Sequence, residues 1–156
     1  MNNMEIERKF LIDPAKIPFS LESFDVRIIE QGYLCTGPVV RIRRDNEKYE
    51  LTYKSGGLMK RREENLPLSK SAYEHLREKV DGRLIQKKRY MIPLEHTEVP
   101  GLVIELDVFE GNLAPLILAE VEFPNEESAF SIEAPKWFGE DVTFCGKYHN
   151  SYLSKL

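Results

Sequence analysis

The chain has 156 residues, of which 42% are hydrophobic and 31% charged, and its net charge is −4. This length suits one domain spanning residues 1–156, and the hydrophobic fraction excludes a disordered chain. The acidic balance argues against a nucleic-acid partner, which normally requires a basic face. The apolar runs are also far shorter than a membrane-spanning helix requires, so no membrane partner is expected.

The beginning of the chain lacks the basic patch and apolar stretch that mark a secretory signal. Cys35 and Cys145 are the only cysteines. Without an export signal, two cysteines are typical of reduced thiols, not of a disulfide framework. We therefore expect a cytoplasmic protein.

Alternating polar and apolar residues dominate the chain and predict about eight β-strands. The predicted strands are 4–12, 27–34, 39–44, 48–55, 60–67, 84–92, 102–110 and 117–124. Turn residues such as Gly37-Pro38 and Asp45-Asn46 lie between successive strands. Connections this short predict mostly antiparallel pairing, and hence an α+β fold that is predominantly antiparallel β.

Helices are the minority in this pattern. Asp13 and Pro14 resemble the cap and first turn of a short helix. A longer helix is predicted over 71–81, where Ser71 can cap the first turn and Glu74 completes a capping box.

The last ten residues, 147–156, could form another helix, because Tyr148, Tyr152 and Leu156 would fall along one stripe at helical spacing. The three histidines are too scattered in the sequence to predict a metal cluster. We expect His149, on this terminal helix, to have no functional role.

Charged residues follow the alternation of the predicted strands. Residues i and i+2 of a strand share one face, so Glu5, Glu7 and Lys9 lie opposite Ile6 and Phe10. The other charged faces contain Arg41 and Arg43; Glu50 and Lys54; Arg61 and Glu63; Lys87 and Arg89; Glu105 and Asp107; and Glu120 and Glu122.

Two arrangements explain such faces. Alternation alone favours the ordinary one, in which the charged face is the solvent side of a sheet. However, acids dominate the first strand and the last two, whereas bases dominate the third to the sixth, and like charges about 7 Å apart repel each other. Cations would neutralise the acids and a polyanion the bases. A closed barrel with these charges inside could hold both ligands in a wet tunnel.

The segment Glu5-Ile6-Glu7-Arg8-Lys9-Phe10 contains an E-x-E-x-K motif that resembles the hallmark of the CYTH superfamily, also called the triphosphate tunnel metalloenzymes. Further segments resemble the family in the same order along nearly the whole chain: Gln31-Gly32-Tyr33-Leu34, Val40-Arg41-Ile42-Arg43, Leu51-Thr52-Tyr53-Lys54, Arg61-Arg62-Glu63, Lys87-Lys88-Arg89-Tyr90, Glu105-Leu106-Asp107-Val108-Phe109, Ala119-Glu120-Val121-Glu122, Trp137-Phe138-Gly139-Glu140-Asp141-Val142-Thr143 and Tyr148-His149-Asn150. As an ordered series, the match is specific.

The resemblance implies a closed eight-stranded antiparallel β-barrel, or tunnel, with a few flanking helices. It further implies a divalent cation, Mg²⁺ or Mn²⁺, held by Glu5, Glu7, Glu120 and Glu122, with Asp107 beside them. The implied triphosphate-binding residues are Lys9, Arg41, Arg43, Lys54, Arg61, Lys87 and Arg89. Of all these residues, Glu5, Glu7, Lys87 and Arg89 are the expected catalytic group.

A slip of one residue in a strand would place Arg62 inside instead of Arg61, or Lys88 instead of Lys87. Glu50 and Glu63 also fall on the inner face, where they could orient the bases. The preferred function is metal-dependent hydrolysis of inorganic triphosphate to pyrophosphate and phosphate. Adenylate cyclase, thiamine triphosphatase and nucleoside triphosphatase activities remain open alternatives, as does a non-catalytic module that binds polyphosphate or nucleotide. An exposed flank of the barrel could also pair two copies into a homodimer.

Overall fold

The computed structural model describes residues 4–156. Its strands are β1 (Met4–Ile12), β2 (Asp25–Thr36), β3 (Val39–Asp45), β4 (Lys48–Lys54), β5 (Lys60–Pro67), β6 (Asp81–Pro93), β7 (Val103–Phe109), β8 (Ile117–Glu122) and β9 (Phe138–Asp141). The first eight strands pair antiparallel in the order β5-β4-β3-β2-β6-β7-β8-β1, and β1 also pairs with β5. The sheet therefore closes into an eight-stranded barrel, which confirms the predicted fold class.

The long strands β2 and β6 begin earlier than predicted. They pair with each other from Asp25 opposite Met91 to Tyr33 opposite Asp81. Each strand supplies the other's backbone hydrogen-bond partners over this length. Both strands therefore extend beyond the alternating segments from which they were predicted. The short strand β9 was not predicted; it lies along β1, where Phe10 is opposite Asp141.

The helices are α1 (Lys70–Arg77), α2 (Glu126–Ser131) and α3 (Asn150–Leu153), with short 3₁₀ turns that include Pro14–Lys16 and Gly146–Tyr148. Asp13 caps the first of these turns as predicted, accepting a hydrogen bond from the Ala15 N–H. The predicted cap of the longer helix was wrong. Ser69 caps α1 by accepting from the Ala72 N–H, and the helix begins and ends earlier than expected.

The apolar stripe predicted for the C-terminal tail was also wrong. Leu153 is the buried residue of α3, whereas Tyr152 and Leu156 are exposed. The tail starts with a 3₁₀ turn, which shifts the helical phase that a continuous helix from residue 147 would have had. None of the helices within residues 4–156 is long and apolar enough to cross a membrane.

Two apolar clusters hold the barrel. The larger covers the outside of one wall, where Ile6, Ile104, Leu106 and Val121 pack under flanking segments that contribute Trp137. The smaller cluster contains Tyr33, Val39, Ile85, Phe109, Leu118, Val142 and Leu153. Phe109 and Leu118 lie two residues from Asp107 and Glu120, so the second cluster fills one end of the barrel interior. The charged residues occupy the rest.

Candidate active site

A cavity of about 190 Å³ lies inside the barrel. Ten of the twelve predicted site residues line it: Glu5, Glu7, Lys9, Arg41, Arg43, Lys54, Arg61, Arg89, Glu120 and Glu122. In all, eight basic and eight acidic side chains contribute to the wall. The charged faces of the strands therefore point inward, into one shared hollow.

Strands β3 to β5 supply one side of this wall with bases. The Arg41 guanidinium donates to the Thr52 hydroxyl, and the Arg43 Nε donates to the Gln31 Oε1. Neither arginine forms an ion pair among the residues that the structure describes. Burial, followed by repulsion from Arg41 and Arg89, lowers the pKa of Arg43 to about 10. This crowding of like charge favours binding of an anion.

Strands β1, β7 and β8 supply the opposite side with acids. Glu7 lies opposite Glu122, and Glu105 lies opposite Glu120, so carboxylates from three strands meet on one face. Burial, followed by repulsion from Glu120 and Glu5, raises the pKa of Glu7 to about 8. Burial also raises the pKa of Glu5 to about 7, although Lys54 opposes this shift. Nearby bases therefore do not fully neutralise the negative charge on this wall. The opposite wall instead has an excess of positive charge.

Several acids are held by bases on nearby strands. Lys54 lies 2.9 Å from Glu5 and 3.3 Å from Glu63. Lys9 lies 3.4 Å from a Glu120 oxygen that is buried and accepts no hydrogen bond from residues 4–156. Burial would raise the pKa of Glu120, but Lys9 and then Arg89 outweigh it and hold this pKa well below its usual value.

Lys87 and Asp107 occupy a different position from the other predicted residues. Both side chains are fully buried and lie outside the lining of the cavity. Lys87 Nζ is 2.7 Å from Asp107, and Arg89 donates two hydrogen bonds to the same carboxylate at 2.7 and 2.9 Å. Asp107 thus holds the Arg89 guanidinium in place, and Arg89 also reaches Glu105 at 3.3 Å.

The structure decides the two register alternatives. Arg61, opposite Glu5, is 8% exposed and lines the cavity, whereas the Arg62 side chain is 62% exposed and pairs with Glu64. Lys87 is buried and Lys88 exposed. Glu50 and Glu63 both line the cavity; Glu63 pairs with Lys54, whereas Glu50 pairs with Lys48, whose side chain is 72% exposed.

Sequence reasoning missed the contribution of the C-terminal segment. Lys9 Nζ donates to the Tyr148 carbonyl at 3.0 Å, and Lys87 Nζ donates to Asn150 Oδ1 at 3.2 Å. His149, Asn150 and Ser151 consequently line the cavity. No periodic pattern in the sequence signals this, because a non-local contact places these residues at the barrel. The family resemblance of Tyr148-His149-Asn150 was the available signal.

Gln31 was also missed as a site residue. It is fully buried, accepts from Arg43 and donates to the Tyr33 hydroxyl at 3.1 Å. A buried amide with partners on both sides fixes the rotamer of the arginine that it contacts. The segment containing Gln31 and Tyr33 carried part of the family resemblance, which was the only available signal.

The donor chemistry of the acidic wall fits a hard divalent cation. The predicted metal ligands on this wall, Glu5, Glu7, Glu120 and Glu122, offer carboxylate oxygens, the donors that Mg²⁺ and Mn²⁺ prefer. As the side chains stand, no three His, Cys, Asp or Glu groups within residues 4–156 are arranged to hold an ion by themselves. Because Lys54 and Lys9 draw Glu5 and Glu120 aside, a cation would have to take further oxygens from phosphate or water, as Mg²⁺ commonly does.

Comparisons with known proteins agree with this geometry. The family model described as the CYTH domain matches residues 3–156. The chain is 39% identical to a protein of Nitrosomonas europaea named inorganic triphosphatase, covering 96% of each chain. A protein of Acetivibrio thermocellus with the same name is 32% identical, with 97% of this chain and 93% of the relative covered. A crystal structure of an inorganic triphosphatase superposes with a TM-score of 0.69 at 37% identity, covering 96% of this chain and 93% of that one.

Proposed function

Because the chain belongs to the CYTH domain family, we propose that it hydrolyses inorganic triphosphate to pyrophosphate and phosphate inside the barrel. One observation carries this proposal: the bases of β3 to β5 and the acids of β1, β7 and β8 face each other across a single cavity. The names of the two curated relatives support the same substrate. A triphosphate offers the bases a chain of oxyanions at close spacing.

We propose that Lys9, Arg41, Arg43, Lys54, Arg61 and Arg89 bind the phosphate oxygens. Arginine supplies planar two-point contacts and lysine a point charge. Such a wall positions the substrate and stabilises the charge that develops on the pyrophosphate as the bond to the terminal phosphorus breaks. Positioning and charge stabilisation are the main contributions that a protein makes to phosphoryl transfer.

The balance of eight acidic and eight basic side chains supports a dependence on divalent metal. A triphosphate adds several negative charges to a wall that is already neutral, so further cations are needed. We propose that Glu5, Glu7, Glu120 and Glu122 hold Mg²⁺ or Mn²⁺. The metal would supply charge neutralisation on the phosphate oxygens.

For Lys87 and Asp107 we propose positioning roles. Asp107 has both oxygens engaged by Arg89 and one also by Lys87, which leaves it poorly placed to bind a cation. Lys87 holds Asp107 and Asn150 together. The pair therefore fixes Arg89 and the C-terminal segment against the cavity.

Phosphate release by the purified chain tests the proposal. Tripolyphosphate, ATP and thiamine triphosphate are each supplied with Mg²⁺, Mn²⁺ or EDTA. We expect release from tripolyphosphate that EDTA abolishes, and much slower release from the two organic triphosphates. Preferred turnover of ATP or thiamine triphosphate would reassign the substrate, and binding of tripolyphosphate without release would indicate a non-catalytic module.

A further inference from the structure

A second cavity adjoins the tunnel at the hairpins between β2 and β3 and between β4 and β5. It has a volume of about 140 Å³, several times the ~30 Å³ that one water molecule takes up in the liquid. Gly37, Pro38, Gly56 and Gly57 lie on its solvent side and are exposed. We call this space the hairpin cavity.

The hairpin cavity and the tunnel share part of their walls. Val39, Arg61, His149 and Ser151 line both spaces. These four side chains are the partition between the tunnel and an opening to solvent. A small molecule beside Arg61 in the tunnel is therefore separated from the hairpin cavity by these side chains.

The charge of the hairpin cavity differs from that of the tunnel. Among residues 4–156, no carboxylate contributes to its lining, whereas eight line the tunnel. Arg61 is 8% exposed, and its guanidinium forms no hydrogen bond or ion pair within residues 4–156. Because no carboxylate within these residues compensates the charge of this guanidinium, it favours a bound anion.

The surroundings of His149 indicate the same positive potential. Burial, followed by repulsion from Lys9, Arg61 and Lys54, lowers the pKa of its imidazole to about 4. The ring is therefore neutral at pH 7 and can donate a hydrogen bond through its one N–H. The hydroxyl of Ser151 adds a second donor at the partition.

The β4–β5 hairpin beside the cavity contains two glycines with different surroundings. Gly57 has φ +124°, and a Cβ at this position would lie 2.5 Å from the Lys60 carbonyl oxygen. Only glycine fits there without displacing the chain. Gly56, in contrast, has nothing within 4 Å of where its Cβ would be, so this position borders open space.

We propose that the hairpin cavity is a product site for inorganic phosphate, through which the cleaved phosphate leaves the tunnel past Arg61. This proposal rests on the proposed triphosphate hydrolysis. Pyrophosphate, which is larger and bears more charge, would stay on the wall formed by Arg41 and Arg43.

The test obstructs the hairpin cavity at a residue that does not line the tunnel. Gly56 lines the hairpin cavity and has room for a Cβ, so Gly56→Phe adds a ring at the rim of this cavity. Gly146→Phe is the matched control, because Gly146 also has nothing within 4 Å and lines neither cavity. If phosphate leaves by this route, Gly56→Phe keeps its single-turnover rate within about twofold. Its steady-state kcat then falls about fivefold or more, with a burst of phosphate in the first turnover.

A binding measurement on the parental protein does not depend on that variant folding. Inorganic phosphate is titrated in EDTA while the His149 ring resonance is followed by NMR, after assignment with His149→Asn. We expect the resonance to shift on phosphate binding and its pKa to rise, because an anion offsets the positive surroundings of the ring. Gly56→Phe should abolish this shift, and Gly146→Phe should retain it.

The proposal fails if phosphate leaves the His149 resonance of the parental protein unmoved, or moves it equally in Gly56→Phe. It also fails if Gly56→Phe turns over like Gly146→Phe without a burst. Absence of any triphosphate hydrolysis by the parental protein would instead contradict the proposed function. The NMR titration would still decide whether the hairpin cavity binds phosphate.

Discussion

At the scale of single residues, the site is governed by how each buried charge is compensated. Lys54 holds Glu5, and Lys9 with Arg89 holds Glu120, whereas Glu7 forms no ion pair within residues 4–156. Its pKa of about 8 follows from burial and from two neighbouring carboxylates. Glu7 therefore has a poorly compensated charge on the acidic wall.

Replacing this carboxylate should have opposite effects on activity and stability. Glu7→Gln should lower kcat for tripolyphosphate by about 10²–10³ at saturating Mg²⁺, as loss of an essential electrostatic contact does. In EDTA the same variant should be more stable than the parent above pH 7, since the amide has no charge to desolvate.

The pH dependence of that stability gain follows from the sign of the shift. A carboxyl whose folded-state pKa is raised from 4.5 to about 8 costs stability progressively as pH rises through this interval. The advantage of Glu7→Gln, measured by urea unfolding, should therefore grow from pH 5 to about pH 8. Glu47→Gln, in an exposed turn, is the control; equal pH profiles for the two variants would show that Glu7 is not buried as described.

Asp107 provides a second test at this scale. Asp107→Asn weakens a fully buried network with Lys87 and Arg89, so it should cost about 3–5 kcal/mol in free energy of unfolding. Asp45→Asn is the matched control, because Asp45 pairs at 3.6 Å with Arg27, whose side chain is 46% exposed. An exposed pair of this kind is worth about 0–1 kcal/mol.

The Mg²⁺ concentration for half-maximal activity separates positioning from metal binding. If Asp107 positions Arg89 and does not bind metal, Asp107→Asn should leave this Mg²⁺ concentration close to that of the parent. A large increase, with little loss of stability, would instead identify Asp107 as a metal ligand.

At the scale of elements, helix α1 docks on the barrel through one polar cluster. Glu30 of β2 accepts from Arg77 at 2.7 Å, from the Tyr73 hydroxyl at 2.9 Å and from Gln86 at 3.1 Å. The hydrogen bond from Arg77, offset in part by burial, lowers the pKa of the Glu30 carboxyl. The helix is thus tied to two strands by a single carboxylate.

Acidification should release this cluster. A depressed folded-state pKa contributes stability above the unfolded value near 4.5 and loses it as pH falls through the folded value. Glu30→Gln should therefore cost about 1 kcal/mol at pH 7, allowing for the exposed end of Arg77. That cost should disappear at low pH. Glu74→Gln, on the exposed face of α1, is the control in the same urea titrations. A cost of Glu30→Gln that does not change with pH would contradict the role of the carboxylate charge.

The elements also show what the sequence could predict and what it could not. Alternation is clearest in strands such as β1, β3, β7 and β8, which have one apolar face and one charged face. It cannot choose between Arg61 and Arg62, since a slip of one residue exchanges the faces; the pairing of Glu5 with Arg61 decides this point. Strand β9 has four residues with little burial, so no periodic signal marks it.

The ends of the helices and the contacts of the C-terminal tail were harder to predict from the sequence. Ser69 and Ser71 are both plausible caps in the sequence, and the tertiary position of Tyr73, which is buried, selects Ser69. The place of His149 at the tunnel depends on hydrogen bonds from Lys9 and Lys87 to its neighbours. Contacts that join residues this far apart in the chain leave no local pattern.

At the scale of the whole molecule, closure of the sheet decides the function. The pairing of β1 with β5 turns one face of every strand inward, so faces that would be solvated on an open sheet share one cavity. Adjacent residues of one strand then differ completely in role. Arg43 faces the cavity, and Arg44 faces solvent, where it donates to the Asn46 carbonyl.

Arg43 and Arg44 provide the most direct test of the central claim, that triphosphate binds inside the barrel. We compare kcat/KM for tripolyphosphate, at saturating Mg²⁺, in Arg43→Gln and Arg44→Gln, which remove the same charge from neighbouring positions. Arg43→Gln should lose about 10²–10³ and Arg44→Gln less than about threefold, because one lost contact to the reacting phosphates has this cost and a solvated arginine has none. Equal losses in the two variants would contradict a triphosphate site inside the barrel.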